Sequence, residues 1–286
     1  MAFNDLQQKT ISQFTVFTAH KNLAKLQLFS HTFTELEGQE GESIAVPVYD
    51  LAAADSFNID TNNYGSGTNG VGGMLINLDQ HLIKSVAITD KQLAFTGISW
   101  ARDTAIALTD SLARGINSYV FGLINDSNVS LTATFDATNK NVVANLYAVA
   151  ESNDLPVDKC VVVLNPAQYA KVLGLVDYSM VGSGDYLTTG VINNLFGFKG
   201  FVCSSALPAG NKGCIILDEA MGIASKYLAP MTPDAYPEAW PITDEESGLT
   251  IGARRFMDLN KGTNNFAMDV LFGAKLLQPN RVIRLV

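Results

Sequence analysis

The run Gly65-Ser66-Gly67-Thr68-Asn69-Gly70, with Asp90 further on, has the spacing by which a glycine loop lays backbone N–H groups against a dinucleotide pyrophosphate. That chemistry needs a buried strand before the glycines and a helix start after them, because the helix N-terminus supplies the free amides. Here Asn58-Ile59-Asp60-Thr61-Asn62-Asn63-Tyr64 precedes and Val71-Gly72-Gly73-Met74 follows, so no helix can begin. A soluble α/β nucleotide-binding enzyme is therefore the remoter reading, and a turn between two strands the nearer one. No Gly-Lys-Ser/Thr phosphate loop exists. Nucleophilic catalysis would need Ser or Cys beside a His base, but His20, His31 and His81 all precede the α/β body and no Gly-x-Ser-x-Gly elbow occurs. The acidic pairs Asp218-Glu219 and Glu245-Glu246 are adjacent in sequence and read as solvated surface. Cys160, Cys203 and Cys214 lie in apolar runs, odd in number and without C-x-x-C spacing, which predicts buried reduced thiols of a cytosolic protein and no zinc site. The expectation is a non-enzyme with no catalytic residue, cofactor or metal.

The chain's 286 residues, 47% hydrophobic, suffice for a large core, and the net charge of -9 excludes a protein that wraps nucleic acid by rows of Lys and Arg. The N-terminus lacks the basic flank and apolar run of a secretory signal, and no apolar stretch approaches the ~20 residues of a membrane span.

From Glu42 to Ile83 the chain has no Lys or Arg, and two strand-like arms flank a Gly- and Asn-rich tip. In the first arm Ile44, Val46 and Val48 share a face, and Pro47 confines the strand to an edge. In the second, Met74, Ile76, Leu78, Leu82, Val86 and Ile88 alternate with polar positions, with a bend or bulge expected near Gln80 or Lys84. A two-stranded ribbon this long is not stable alone in water, so it is expected to lie on a neighbouring copy. Ile44, Val46, Val48, Tyr64, Met74, Ile76 and Leu78 are the candidate intersubunit contacts. Arg254 and Arg255, on opposite faces of a strand, complete the set, of which one at most can reach a neighbour.

Upstream, residues 1–37 show a loose helical pattern without a clean stripe and are read as an arm. After Asp90 the period changes: Ile98, Ala101, Ala105, Leu108, Leu112, Ile116, Tyr119 and Leu123 mark one face of a long strut helix. A helix over about Lys140–Ala150 precedes the strand Cys160–Leu164, and Asn165 then caps a helix with Pro166 at its first position. Residues 177–190 and 230–248 read as loops. Strands are expected at Lys199–Ser204, Cys214–Leu217, Gly222–Tyr227, Thr250–Phe256, Asn265–Phe272 and Arg281–Val286.

The stretch from Gly190 to Pro208, with Ile192, Leu195, Gly197, Phe198, Val202, Ser205 and Leu207, resembles the run G-x-I-x-x-L-x-G-F/Y-x-I/V-x-x-S-x-x-L/M-P of tailed-bacteriophage major capsid proteins. Val161 to Tyr169 through Pro166, and Gly273-Ala274-Lys275 with Pro279 and Val282, resemble it too. The resemblance, to the Hong Kong 97 type of shell protein, covers nearly the whole chain. It implies an α+β fold: an N-arm (1–37), an extended β-hairpin loop (38–92), a peripheral domain with a long spine helix (93–137), a mixed α/β axial domain (138–249) and C-terminal strands (250–286) completing both domains.

By the same resemblance the chain would be a virion protein, self-assembling in the host cytoplasm as hexamers and pentamers into an icosahedral head. Its partners would be copies of itself, a portal, scaffold and decoration proteins, and packaged double-stranded DNA held without sequence-specific binding; no membrane is involved. An encapsulin-like nanocompartment shell is the alternative. With the hairpin starting near residue 38, a fused N-terminal scaffolding segment is not expected, and a separate scaffold is implied. Some relatives crosslink a loop lysine to a neighbour's asparagine; with no lysine between Lys25 and Lys84, a non-covalent shell is expected here.

Overall fold

The structure is a computed structural model and describes residues 5–33, 43–49, 71–89, 99–139, 141–175, 197–229, 238–244, 247–258 and 263–286. Gly65, Gly67, Gly70, Tyr64, Asp90, Glu245, Glu246 and the loop 177–190 lie outside these residues.

The central element is the longest strand, β12 (Thr263–Leu276), whose 14 residues alternate between two faces. Phe266, Met268, Val270 and Phe272 are almost wholly buried and point to the helical side. The strut there is α2 (Ser99–Gly122), which buries Ala105, Leu108, Leu112 and Ile116 at steps of three and four, as the sequence predicts. Its 24 residues give a rod about 36 Å long at ~1.5 Å each.

Beside it lies α1 (Asp5–Gln27), a 23-residue helix where the sequence suggested only an arm. Its buried face is Ile11, Thr15, Thr18, Ala19, Leu23 and Leu26, while Phe17 is 67% exposed. Two threonines inside and a phenylalanine outside account for the lack of a clean apolar stripe, so tertiary packing and not local pattern holds this helix. Arg102 lies 4.9 Å over the Phe14 ring, Asn22 donates to Asp110 at 3.1 Å, and Phe29 meets Phe121 at 5.7 Å. Contacts that advance together along both chains mean the helices run parallel. Aligned macrodipoles do not favour that arrangement, so the shared core must.

β12 pairs with three strands: β11 (Thr250–Asp258) through Thr263 to Asp269, β4 (Gln80–Thr89) through Thr263 to Phe272, and β9 (Met221–Lys226) through Leu271 to Leu276. β1 (Ser30–Phe33) adds in parallel to β9, and β10 (Glu238–Thr243) lies antiparallel to β11, making a six-stranded sheet. β10 falls inside the segment read as a loop. It is an edge strand, where Pro241 costs no ladder bond, and Trp240 and Ile242 anchor it.

A five-stranded sheet runs in the order β5 (Thr132–Ala133), β13 (Val282–Leu285), β8 (Gly213–Leu217), β6 (Cys160–Leu164), β7 (Gly200–Cys203). β6 is buried on both faces: Val161 and Val163 join the core of α1 and α2, while Cys160, Val162 and Leu164 face a second core under α3 (Val142–Ser152) and α4 (Pro166–Leu175). That explains its unbroken apolar run. Asn165 Oδ1 accepts from the Gln168 N–H at 2.9 Å, the cap its position predicts. Gly197 has φ +83°, suited to a left-handed stop, and Phe198 and Val202 enter the core.

Polar bolts tie the five-stranded sheet to the two long helices. Lys199 Nζ donates to the Leu28 carbonyl at the end of α1 (2.9 Å) and to Asp218 (2.6 Å), and Lys25 Nζ reaches the Cys203 carbonyl at 2.8 Å. Buried Arg284 donates twice to Asn211, whose amide donates to the Ile124 carbonyl just beyond α2.

Ile116, 1% exposed in the middle of the strut, tests this shared core. Ile116→Ala is expected to lower unfolding free energy by about 2–5 kcal/mol, read as a shifted denaturation midpoint with unchanged slope.

Candidate functional site

The hairpin is β2 (Ser43–Tyr49) paired with β3 (Val71–Asn77), Ile44 opposite Ile76 and Val46 opposite Met74. Among the described residues the two strands pair only with each other, and Pro47 suits β2 to an edge. The second arm does not continue as one strand. It breaks at Leu78-Asp79, immediately before Gln80, where a bend was expected, and β4 then leaves the ribbon to join β12.

The apolar face of the ribbon is already covered. Ile44 (5% exposed), Val46, Ile76 (0%) and Leu78 form a cluster with Ala224 of β9 and Leu277, against which Met74, Phe33 and Leu271 also pack. Within the single chain Ile44, Val46, Ile76 and Leu78, expected to rest on a neighbouring copy, lie on the chain's own body, where β9 and the end of β12 offer an apolar platform, and Met74 packs half-buried at its margin. The pairing of Val48 with Gly72 places it in the ribbon, while Tyr64 lies outside the described residues.

Two glycines make the seat. A Cβ on Gly222 of β9 would come within 2.8 Å of the Ile76 side chain, with Leu277 and Phe33 at 3.1 Å, so Ile76 fills the space a side chain would occupy. A Cβ on Gly273 of β12 would stand 1.9 Å from the Asn77 carbonyl oxygen and 2.8 Å from its carbon, both backbone atoms. The chain crosses β12 there, and only glycine admits the crossing. Lys275 Nζ adds a bond to the Leu75 carbonyl at 3.2 Å.

Beside the crossing stands a charged cluster. Asp269 Oδ2, in a side chain 3% exposed, accepts from Arg254 Nη2 at 3.0 Å and lies 3.1 Å from His81 Nε2 at the start of β4. Arg254 also donates to the Leu228 carbonyl, whereas Arg255 pairs with Glu238 (3.1 Å) and Asn264 (3.3 Å). Both arginines, expected as candidate intersubunit contacts, thus have partners within the chain. His81, expected in a hairpin outside the body, is part of the six-stranded sheet.

Burial pushes the Cys160 thiol up to about 11 and the Cys214 thiol higher still, so neither is a thiolate at neutral pH. Half-buried Cys203 is raised too, by desolvation that Lys25 partly offsets. Among the described residues no cluster of three His, Cys, Asp or Glu side chains could hold a metal, and no helix is long and apolar enough to cross a membrane.

A parallel helix pair on a six-stranded sheet, a second mixed layer and a hairpin seated at their side define an α+β shell protein of the Hong Kong 97 type. Mycobacterium phage Che8 shares the fold with a TM-score of 0.60 at 16% identity, over 91% of this chain and 89% of that one. The capsid of cyanophage P-SCSP1u gives 0.63 at 15%, over 91% and 86%, and a virus-like particle from Pyrococcus furiosus 0.59 at 11%, over 97% and 98%. No curated protein matches. A family model described as phage capsid protein matches residues 73–285, and the chain belongs to that family.

The ion pair gives a direct test. Arg254→Met leaves the Asp269 carboxylate buried without its cation and is expected to cost about 3–5 kcal/mol in equilibrium unfolding. The double variant Arg254→Met with Asp269→Leu should lose clearly less than the single one.

Proposed function

We propose that this chain is the major subunit of an icosahedral phage head, assembling as hexamers and pentamers around double-stranded DNA. The observation that carries the reading is the correspondence with phage capsid chains over about nine tenths of either partner. In this reading α1, α2 and the six-stranded sheet form the peripheral domain, and the five-stranded sheet with α3 and α4 the axial one. Portal, scaffold and decoration proteins would be the further partners, and the net charge of -9 suits a wall that holds DNA loosely.

Besides the ribbon and the two arginines, exposed apolar side chains offer surfaces for neighbours. Phe17 on α1 (67% exposed), Ile83 on β4 (60%), Met257 on β11 (54%) and Leu75 on the outer face of β3 (51%) are large apolar side chains left in water by the single chain. Neighbouring copies covering them would gain roughly 1.5–3 kcal/mol for each side chain fully buried.

The Pyrococcus furiosus particle, matched over 97% of this chain and 98% of its own, keeps the nanocompartment reading as the second one. Both readings expect particles, and the contents separate them.

Negative-stain microscopy of the purified chain, with scaffold co-expressed, is expected to show closed shells; particles from infected cells should carry DNA and tail proteins. Protein cargo without a genome would favour the nanocompartment, and a small oligomer alone under all conditions would contradict both. Phe17→Glu and Ile83→Glu are expected to reduce shell yield at least about tenfold while leaving the unfolding midpoint almost unchanged. A boiled denaturing gel should show the single chain without a covalent ladder.

A further inference from the structure

The seat under the ribbon bears on when the hairpin becomes ordered. A ribbon stabilised only by neighbours would order as they arrive, and association would then carry the entropy cost of fixing its backbone. The contacts at its base are of another kind. Ile44, Val46, Ile76 and Leu78 are buried by residues of the same chain, with Ile76 in the space over Gly222 and the Asn77 carbonyl over Gly273. Lys275 ties the Leu75 carbonyl to β12, and β4 continues directly into ten paired positions along that strand.

We propose that the hairpin base is a preformed clamp in the unassembled chain: the paired glycine seats at Gly222 and Gly273 fix the direction in which the chain leaves at Tyr49 and returns at Val71 before any partner binds. Clamping there removes an ordering cost from association and limits the angles at which two copies meet. The two seats have different tolerances. At Gly222 the opposing atoms are ends of side chains, which can shift to admit one methyl; at Gly273 they are backbone, which cannot. Gly273 is therefore the stricter requirement, and Ile76 the plug that can be removed without touching the body.

The inference extends the shell reading to its assembly step, but its test needs no shell. Hydrogen–deuterium exchange is measured on the full chain, held below the concentration at which light scattering detects particles. Peptides covering 43–49 and 71–77 are expected to exchange about tenfold or more slowly than unstructured chain. In Gly273→Ala and in Ile76→Ser that protection should fall at least about fivefold, while peptides from α2 and β6 stay within about twofold of wild type. The Ile76→Ser protein covers the case in which Gly273→Ala fails to fold.

Unstructured-chain exchange at 43–49 and 71–77 in the unassembled wild type would overturn the proposal. So would protection that survives Ile76→Ser undiminished. Protection without any particle under assembly conditions would leave the clamp standing and remove the shell reading instead.

Discussion

Most of this architecture depends on the backbone of one strand. β12 must satisfy the ladder bonds of β11, β4 and β9, bury Phe266, Met268, Val270 and Phe272 under the strut helix, and pass beneath another stretch of chain at Gly273. An unpaired buried amide costs free energy on the scale of a lost hydrogen bond, so these pairings cannot be exchanged singly. Strut, ribbon and both edges of the large sheet are therefore placed by a common element. The five-stranded sheet is tied to the same body through Val161, Val163, Val202 and Ile216, which enter the core of α1 and α2.

That constraint gives the chain the properties of a tile. The shared core and the bolts at Lys199, Lys25 and Arg284 oppose shear between the five-stranded sheet and the two long helices, while several outward-facing apolar side chains remain uncovered. A rigid body with modest sticky points suits a lattice: each contact is weak, and repetition around a closed surface supplies the stability. The polar chemistry is spent on holding the sheet together. Asp269, Arg254 and His81 converge as residues of a catalytic site would, yet they join β11, β12 and β4 at the point where the ribbon departs.

Elements with clean periodicity were legible in the sequence. The strut repeats apolar residues at steps of three and four, β6 is apolar throughout because both its faces are buried, and Asn165-Pro166 is a local cap signal. The N-terminal helix was not legible as more than a loose pattern, because Thr15 and Thr18 sit on its buried face and Phe17 on its exposed one. β10 was hidden by prolines that an edge strand tolerates. The ribbon's alternation correctly identified its apolar face, but periodicity says that a face is buried and not by what. Its cover comes from residues nearly two hundred positions away, and only Gly222 and Gly273 hinted at a close approach. Likewise, alternation placed Arg254 and Arg255 on opposite faces without revealing that Asp269 and Glu238 were waiting there.

The central claim is that each chain seats its own hairpin. A cryo-electron microscopy map of the assembled particle, resolved well enough to trace the backbone through residues 71–89, tests it most directly. The account predicts that Asn77 crosses Gly273, and Ile76 sits over Gly222, within one and the same subunit at every lattice position. A trace in which the ribbon's apolar face lies on the β9 and β12 of an adjoining subunit would contradict it.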